Sequence, residues 1–135
     1  MKNFAFAALS LVALAAASGL AANAAVSTVS DASFAGSVLA SPQPVVVDFY
    51  ADWCGPCRRM GPVVDDLSQQ LPNVKFVRVN IDNSPRTAQR YGISSIPTVA
   101  VFAGGRELGA STGAVPEQQL ANSIEQLLYQ HKSVR

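Results

Sequence analysis

The chain is poor in the residues that build metal sites and structural disulfides. Its 135 residues include only two cysteines, and its one histidine is His131. A structural zinc site takes four cysteine or histidine ligands, so this composition argues against one. Exported proteins normally contain several cysteines that form structural bridges, and this chain has only one pair in all. We therefore expect a fold held by core packing, with no metal and no cofactor.

An excess of charge of one sign is also missing. Ten basic and nine acidic residues give a net charge of +1, and neither sign dominates a long segment. Nucleic-acid binding through a basic patch has no support, so we expect no nucleic acid among the partners. No arginine precedes Arg58, which argues against an arginine-rich mitochondrial transit peptide.

The N-terminal residues have a composition of their own. Lys2 is followed by an apolar stretch over residues 4–17, and Ala22-Asn23-Ala24 fits a small-x-small cleavage site. This pattern predicts a secretory signal peptide at residues 1–24 and a folded domain at residues 25–135. The expected location is therefore periplasmic or secreted.

An uncleaved membrane anchor is the alternative, because the apolar run is long enough to span a bilayer. No cysteine follows the run directly, so attachment of a lipid at a lipoprotein-type cysteine is excluded.

Both cysteines fall in the stretch Trp53-Cys54-Gly55-Pro56-Cys57. A bridge closing so short a loop stabilises a fold poorly, so thiol–disulfide exchange is the better explanation of the pair. An apolar strand precedes Cys54 and a helical pattern follows it. The N–H groups at that helix start stabilise a thiolate, which lowers the thiol pKa. We therefore predict Cys54 as the attacking nucleophile and Cys57, expected to be more shielded, as the resolving thiol.

Asp48 is the candidate proton acceptor for Cys57. It lies in the apolar run of Val45-Val46-Val47 and Phe49, where desolvation should raise the pKa of the carboxyl group. Such a group could take the proton that Cys57 must lose.

The remaining periodicity predicts a mixed sheet with helices on both faces, an α/β fold. Ser30 and Asp31 can cap a first helix through Leu39. The further predicted elements are a strand at 45–50, a helix at 54–71, a strand at 74–80, a short helix from Ser84 and Pro85 to about Tyr91, a strand at 98–103, a turn at Gly104-Gly105, a strand at 107–112, and a last helix from Pro116 with Leu120, Ile124, Leu127 and Leu128 on one stripe.

Four segments in order resemble the thioredoxin family: residues 47–58 around the cysteines, Pro62 in the following helix, Val79-Asn80-Ile81-Asp82, and the stretch 91–98 with Ile96-Pro97. Gly113 and the final helix complete the pattern, so the resemblance covers about Thr28 to Leu128 and implies the thioredoxin fold. It also implies roles. Gly55 and Pro56 would tune the redox pair, and Trp53 would tune it and shield it. Substrate chains would bind at Trp53, Ile96, Pro97 and Gly113.

Four residues depart from the common thioredoxin pattern. Tyr50 replaces a tryptophan, Ser94-Ser95 alters the rim before Ile96, and Arg78 replaces a lysine near the buried aspartate. Arginine stays charged where a lysine could lose its proton. Whether Arg78 pairs with Asp48 is left open by the sequence.

The leading hypothesis is an exported, monomeric thiol–disulfide oxidoreductase that reduces protein disulfides. The Gly-Pro dipeptide resembles that of reducing family members, and an exported reductase implies a membrane electron-transfer donor. The alternatives are a periplasmic disulfide oxidase or isomerase, a cytochrome c maturation thioredoxin, and a binding module without redox turnover.

Overall fold

A computed structural model describes residues 26–134. The expected signal peptide lies outside the described residues and stays a prediction. In chain order the elements are β1 (Ser27–Thr28), a π-helix (Ala35–Leu39), β2 (Val45–Tyr50), α1 (Gly55–Gln70), β3 (Lys75–Asn80), α2 (Pro85–Arg90), β4 (Thr98–Ala103), β5 (Arg106–Thr112) and α3 (Glu117–Ser133). From β2 onward, the elements follow the predicted order and their bounds agree to about one residue.

The five strands form one mixed sheet in the order β1-β3-β2-β4-β5. Strand β3 is parallel to β1 and β2, whereas β4 is antiparallel to β2 and β5. Strand β2 is therefore central, which explains its nearly continuous apolar run. In this register Asp48 on β2 lies opposite Arg78 on β3 and Val99 on β4.

Side chains of β2 alternate between two apolar clusters on opposite faces of the sheet. Val45 and Val47 contribute to the cluster that contains the π-helix and Tyr91, just after α2. Val46 contributes to the cluster formed with α1 and α3. Because side chains two apart share a face, Asp48 lies on the α1 side with Val46. Helices thus cover both faces, and the predicted α/β thioredoxin fold is confirmed.

The first predicted helix ends at Leu39 as expected, but it is a π-helix that begins at Ala35, and its predicted cap is wrong. A turn leads into the π-helix, and the Ser30 carbonyl accepts bonds from the amides of Ser33 and Phe34. The Asp31 side chain does not cap this segment, because its carboxylate bonds elsewhere.

Asp31 caps α2 instead. Its carboxylate accepts bonds from the Arg86 amide at 3.1 Å, the Thr87 amide at 2.8 Å and the Thr87 hydroxyl at 2.7 Å. Ser84, the N-cap residue of α2, makes no side-chain cap bond. A helix end needs acceptors for its free N–H groups, and a residue distant in sequence can supply them.

Strand β1 was not predicted, because two exposed residues show no periodicity. Within residues 26–134, no helix is both long and apolar enough to cross a membrane.

Candidate active site

Cys54 and Cys57 form a disulfide at the start of α1, with a Cα–Cα distance of 5.3 Å. Cys54 is the N-cap residue of the helix, in extended backbone conformation, and its Sγ accepts a bond from the Cys57 amide at 3.2 Å. A helix N-terminus offers N–H groups and a positive dipole end to a negative sulfur. The geometry is therefore suited to a Cys54 thiolate once the bridge is reduced.

The burial of the two cysteines does not differ as predicted. Cys54 is 4% exposed and Cys57 is 5% exposed, so Cys57 is not the more shielded of the pair in this oxidised form. Both belong to one small apolar cluster around the bridge, with Ala51 and the half-buried Ile96. What distinguishes the two is position, because only Cys54 occupies the helix cap.

Gly55 and Pro56 form the first turn of α1. Pro56 has a preset φ and no N–H, which suits a position where the amide would lack a partner inside the helix. A side chain at Gly55 would meet only the Arg58 guanidinium, at 4.0 Å, so packing does not demand glycine there.

Asp48 is almost fully buried, at 1% exposure. Burial raises the pKa of its carboxyl group to about 6, against the opposing charge and hydrogen bond of Arg78. One carboxylate oxygen, Oδ1, has no hydrogen-bond partner among the described residues. The predicted upward shift of the Asp48 pKa therefore has its expected cause.

Arg78 does contact Asp48, but that contact is its weakest. Nε lies 3.4 Å from Asp48 Oδ2, whereas Nη2 donates to Asp65 Oδ1 at 2.9 Å and to the Gly61 carbonyl at 2.9 Å. The guanidinium thus links β3 to α1 and touches the buried carboxylate from one side.

A cleft of about 380 Å³ brings Asp48 and Cys57 together. Arg78, Gly61 and Tyr50 also line it. The Asp48 carboxyl group and Cys57 therefore open into one space.

Trp53 is exposed beside the bridge, at 68%. Its indole N–H donates to Asp82 Oδ2 at 2.8 Å, which orients an otherwise free ring. Asp82 follows β3, and the carboxyl ends of the parallel strands β2 and β3 meet at one edge of the sheet. Asp82 belongs to the thioredoxin-like segment Val79-Asn80-Ile81-Asp82, but nothing in the linear pattern indicates its bond to Trp53.

The Ile96–Pro97 peptide bond is cis and lies near the bridge. Ile96 packs on the cysteine cluster, and Pro97 is buried. The Pro97 carbonyl accepts a bond from the Gly113 amide at 2.8 Å, and Gly113 has φ +94°. Ile96, Pro97 and Gly113 are thus connected to one another.

The described residues contain no cluster of side chains suited to binding a metal ion. Among residues 26–134, no group of three or more histidine, cysteine, aspartate or glutamate side chains could hold an ion.

Comparison with known proteins decides the family. The thioredoxin family model matches residues 25–126. The chain is 54% identical over 101 residues to the thioredoxin of Synechocystis sp., covering 74% of this chain and 94% of that protein. The chain belongs to the thioredoxin family.

Two further relatives show how far the similarity extends. Thioredoxin 1 of Synechococcus elongatus is 50% identical over 101 residues, with 74% of this chain and 94% of that protein covered. The chloroplastic thioredoxin M4 of Arabidopsis thaliana is 46% identical over 104 residues, with 76% of this chain and 54% of that protein covered.

Thioredoxin membership and the bonded pair together give the activity. The chain is a dithiol–disulfide oxidoreductase with protein-disulfide reductase activity. In thioredoxin-type exchange, electrons pass from two thiols to a substrate disulfide, and the enzyme ends in the Cys54–Cys57 form seen here.

Proposed function

We propose that this thioredoxin reduces protein disulfides outside the cytoplasm, with Cys54 as nucleophile, Cys57 as resolving thiol and Asp48 as proton acceptor. The observation that carries the proposal is the bonded pair at the start of α1, of which Cys57 shares a cleft with a carboxyl group of raised pKa. The proposed export rests on the signal-peptide pattern of residues 1–24.

The reaction has two exchanges. The Cys54 thiolate attacks one sulfur of the substrate disulfide, and the other substrate sulfur leaves as a thiolate. Asp48, in its carboxylate form, then takes the proton of Cys57. The Cys57 thiolate attacks Cys54 Sγ, forms the observed bridge and releases the second substrate sulfur as a thiolate. Two electrons have passed to the substrate.

Substrate recognition is proposed for the rim around the bridge. Trp53 offers an exposed ring, and Ile96, Pro97 and Gly113 offer a connected backbone. An extended chain lying between them would bring its disulfide to Cys54. The enzyme would act as a monomer.

Insulin-disulfide reduction tests the nucleophile. We expect Cys54→Ser to abolish turnover and attack alike, whereas Cys57→Ser should still attack once and stop at the mixed disulfide. Turnover by Cys54→Ser equal to that of the wild type would rule out Cys54 as the nucleophile.

The equilibrium with glutathione tests the direction. A reductase should have a potential near that of thioredoxin, about −270 mV, well below the potentials of disulfide isomerases and oxidases, about −180 and −120 mV. A value in the upper range would overturn the reducing direction in favour of an oxidase or isomerase.

The role of Asp48 has its own kinetic test. Single-turnover measurements on Asp48→Asn should show slower release of the mixed disulfide and a nearly unchanged first attack, because only the second step needs the proton of Cys57 removed. Equal slowing of both steps would contradict the assignment.

Client and donor can be captured with Cys57→Ala in the native host. This variant should stall as a disulfide-linked complex with its partners, and the double variant Cys54→Ser/Cys57→Ala is the control. Apocytochromes among the trapped partners would favour the cytochrome c maturation role, and a membrane protein with reactive cysteines would identify the electron donor.

Export is tested by fractionation and N-terminal sequencing of the mature protein. We expect a periplasmic or secreted product that begins at Ala25. A product that keeps Met1 and stays in the membrane fraction would support the uncleaved anchor instead.

A further inference from the structure

The guanidinium of Arg78 is shared unequally between two carboxylates. Nη2 bonds Asp65 and the Gly61 carbonyl, both on α1, at 2.9 Å each. Only Nε reaches the buried Asp48, at 3.4 Å. The stronger contacts therefore hold the cation against the helix.

This division leaves the buried carboxylate short of hydrogen-bond partners. A guanidinium can form two parallel bonds to one carboxylate, and that arrangement would satisfy both oxygens of Asp48. Instead Asp48 Oδ1 has no partner among the described residues, while the cation bonds a carboxylate whose side chain is 51% exposed. Since arginine keeps its charge at any working pH, its location decides which acid it neutralises.

We propose that Asp65 is a positioning residue of the site, which holds Arg78 on α1 and so keeps it from closing fully onto Asp48. Asp48 is then left with one long contact and one unbonded oxygen, in the cleft that it shares with Cys57. The proposal rests on the proposed proton-transfer role of Asp48 and adds a residue that controls it from the helix.

The groups around Asp48 that can titrate or carry charge come from β3, from the shared cleft and from α1. Strand β3 contributes Arg78, and β4 contributes the apolar Val99 opposite Asp48. The groups of the same cleft that can titrate or carry charge are Tyr50, Asp52, Cys57 and Arg58, and Asp65 acts from α1.

The effect of removing Asp65 has a definite sign. Burial raises the pKa of Asp48 most, Arg78 lowers it, and the charge of Asp65 raises it. Asp65→Asn removes a negative charge and also frees Arg78 to approach Asp48. Both changes favour the Asp48 carboxylate, so its pKa should fall.

The test is a carbon-13 NMR titration of the aspartate carboxyl groups in the oxidised protein. Both cysteines are then in the bridge, so no thiol titrates, and Asp48→Asn identifies the Asp48 signal by its loss. We expect Asp65→Asn to lower the midpoint of the Asp48 titration by about one pH unit. Asp66→Asn is the matched control. It removes the same charge one residue along α1, at an exposed side chain, and should leave the midpoint in place.

A second variant shows whether Asp65 acts through Arg78. Arg78→Met should raise the Asp48 midpoint, and adding Asp65→Asn to it should shift the midpoint less than Asp65→Asn does alone. Equal shifts from Asp65→Asn and Asp66→Asn, no shift from Asp65→Asn, or an undiminished shift in the Arg78→Met background would each overturn the proposal. If Arg78→Met does not fold, the comparison of Asp65→Asn with Asp66→Asn still tests the proposal.

The pH profile of mixed-disulfide release separates this proposal from the one it rests on. If both proposals hold, Asp65→Asn shifts the acid limb of that profile to lower pH, by the same amount as it shifts the NMR midpoint. An unmoved profile with a moved midpoint would refute proton transfer by Asp48, and the control of Asp48 by Asp65 would stand.

Discussion

At the scale of the residue, Asp48 shows how burial makes a carboxyl group reactive. Its folded-state pKa of about 6 lies above the ordinary aspartate value of 3.8. Between these pH values the folded protein binds more protons than the unfolded chain, so stability is full below about pH 4 and falls as pH rises toward 6. The loss amounts to about 3 kcal/mol at neutral pH, as an upper estimate.

Asp48→Asn should therefore stabilise the protein at pH 7, by up to about 3 kcal/mol. The loss of its contact leaves Arg78 still bonded to Asp65 and Gly61, so no cation is left unpaired. Urea unfolding of both proteins from pH 4 to 9 measures the difference, which should be small at pH 4 and level off above pH 7. A difference independent of pH, or a destabilised variant, would contradict the raised pKa.

The same residue scale shows what sequence can reveal about the site. Cys54, Cys57 and Asp48 were predicted because spacing within one strand and one helix start is visible in a linear pattern. Asp65 and Asp82 were given no site role, because their partners Arg78 and Trp53 lie on other elements and only the packed fold joins them. The relative burial of the two cysteines was likewise not predictable, because it depends on the loop that carries Ile96.

At the scale of the element, periodicity predicted bounds well where an element is buried on one or two faces. The first helix begins later than predicted, at Ala35, and its expected cap, Asp31, bonds α2 instead. Hydrogen bonds from Thr87 and Arg86 lower the pKa of Asp31, although desolvation acts in the opposite direction. The folded-state pKa is thus depressed, so this contribution to stability is present above about pH 4 and fades as pH falls through the folded value.

Two substitutions test the long-range cap of α2. Asp31→Ala should lower the melting temperature at pH 7. The difference from the wild type should shrink as the pH is lowered, because the Asp31 carboxylate of the wild type then becomes protonated. Thr87→Val removes one hydroxyl bond and should cost about 1 kcal/mol. Ser84→Ala is the control, because Ser84 makes no side-chain cap bond. A larger loss for Ser84→Ala than for Asp31→Ala would show that the local residue is the cap.

The contact between β5 and α3 is close at Gly109. A Cβ atom there would lie 2.8 Å from Leu127 Cδ2, so the leucine would have to move. Gly109→Ala should cost about 1 kcal/mol, measured by urea unfolding. Gly36→Ala is the matched control, since nothing lies within 4 Å of its added Cβ and alanine is favoured in helical backbone. Equal stability of the two variants would mean that Leu127 adapts without cost.

At the scale of the whole molecule, the two apolar clusters on either face of the sheet hold the fold together, and the bridge is a local feature. The cysteines are three positions apart, so the bridge restricts only a very short loop of the unfolded chain. The loop-entropy estimate for so short a ring is about 2 kcal/mol. Neither cysteine belongs to the two large apolar clusters; both lie only in the small cluster around the bridge.

Reduction should therefore leave the molecule folded. We expect the unfolding free energies of the oxidised and reduced proteins to differ by no more than about 2 kcal/mol. Trp53 is the only tryptophan and stands beside the bridge, so its fluorescence reports on the site, while far-UV circular dichroism reports on the whole sheet and its helices. In urea the two signals should change together in both redox forms, as in a two-state transition. Cys54→Ser/Cys57→Ser, which cannot close the bridge, should match the reduced protein. Suppose that in the reduced protein the Trp53 fluorescence changes at a lower urea concentration than the circular dichroism signal. The bridge, rather than the core, would then hold the start of α1 in place.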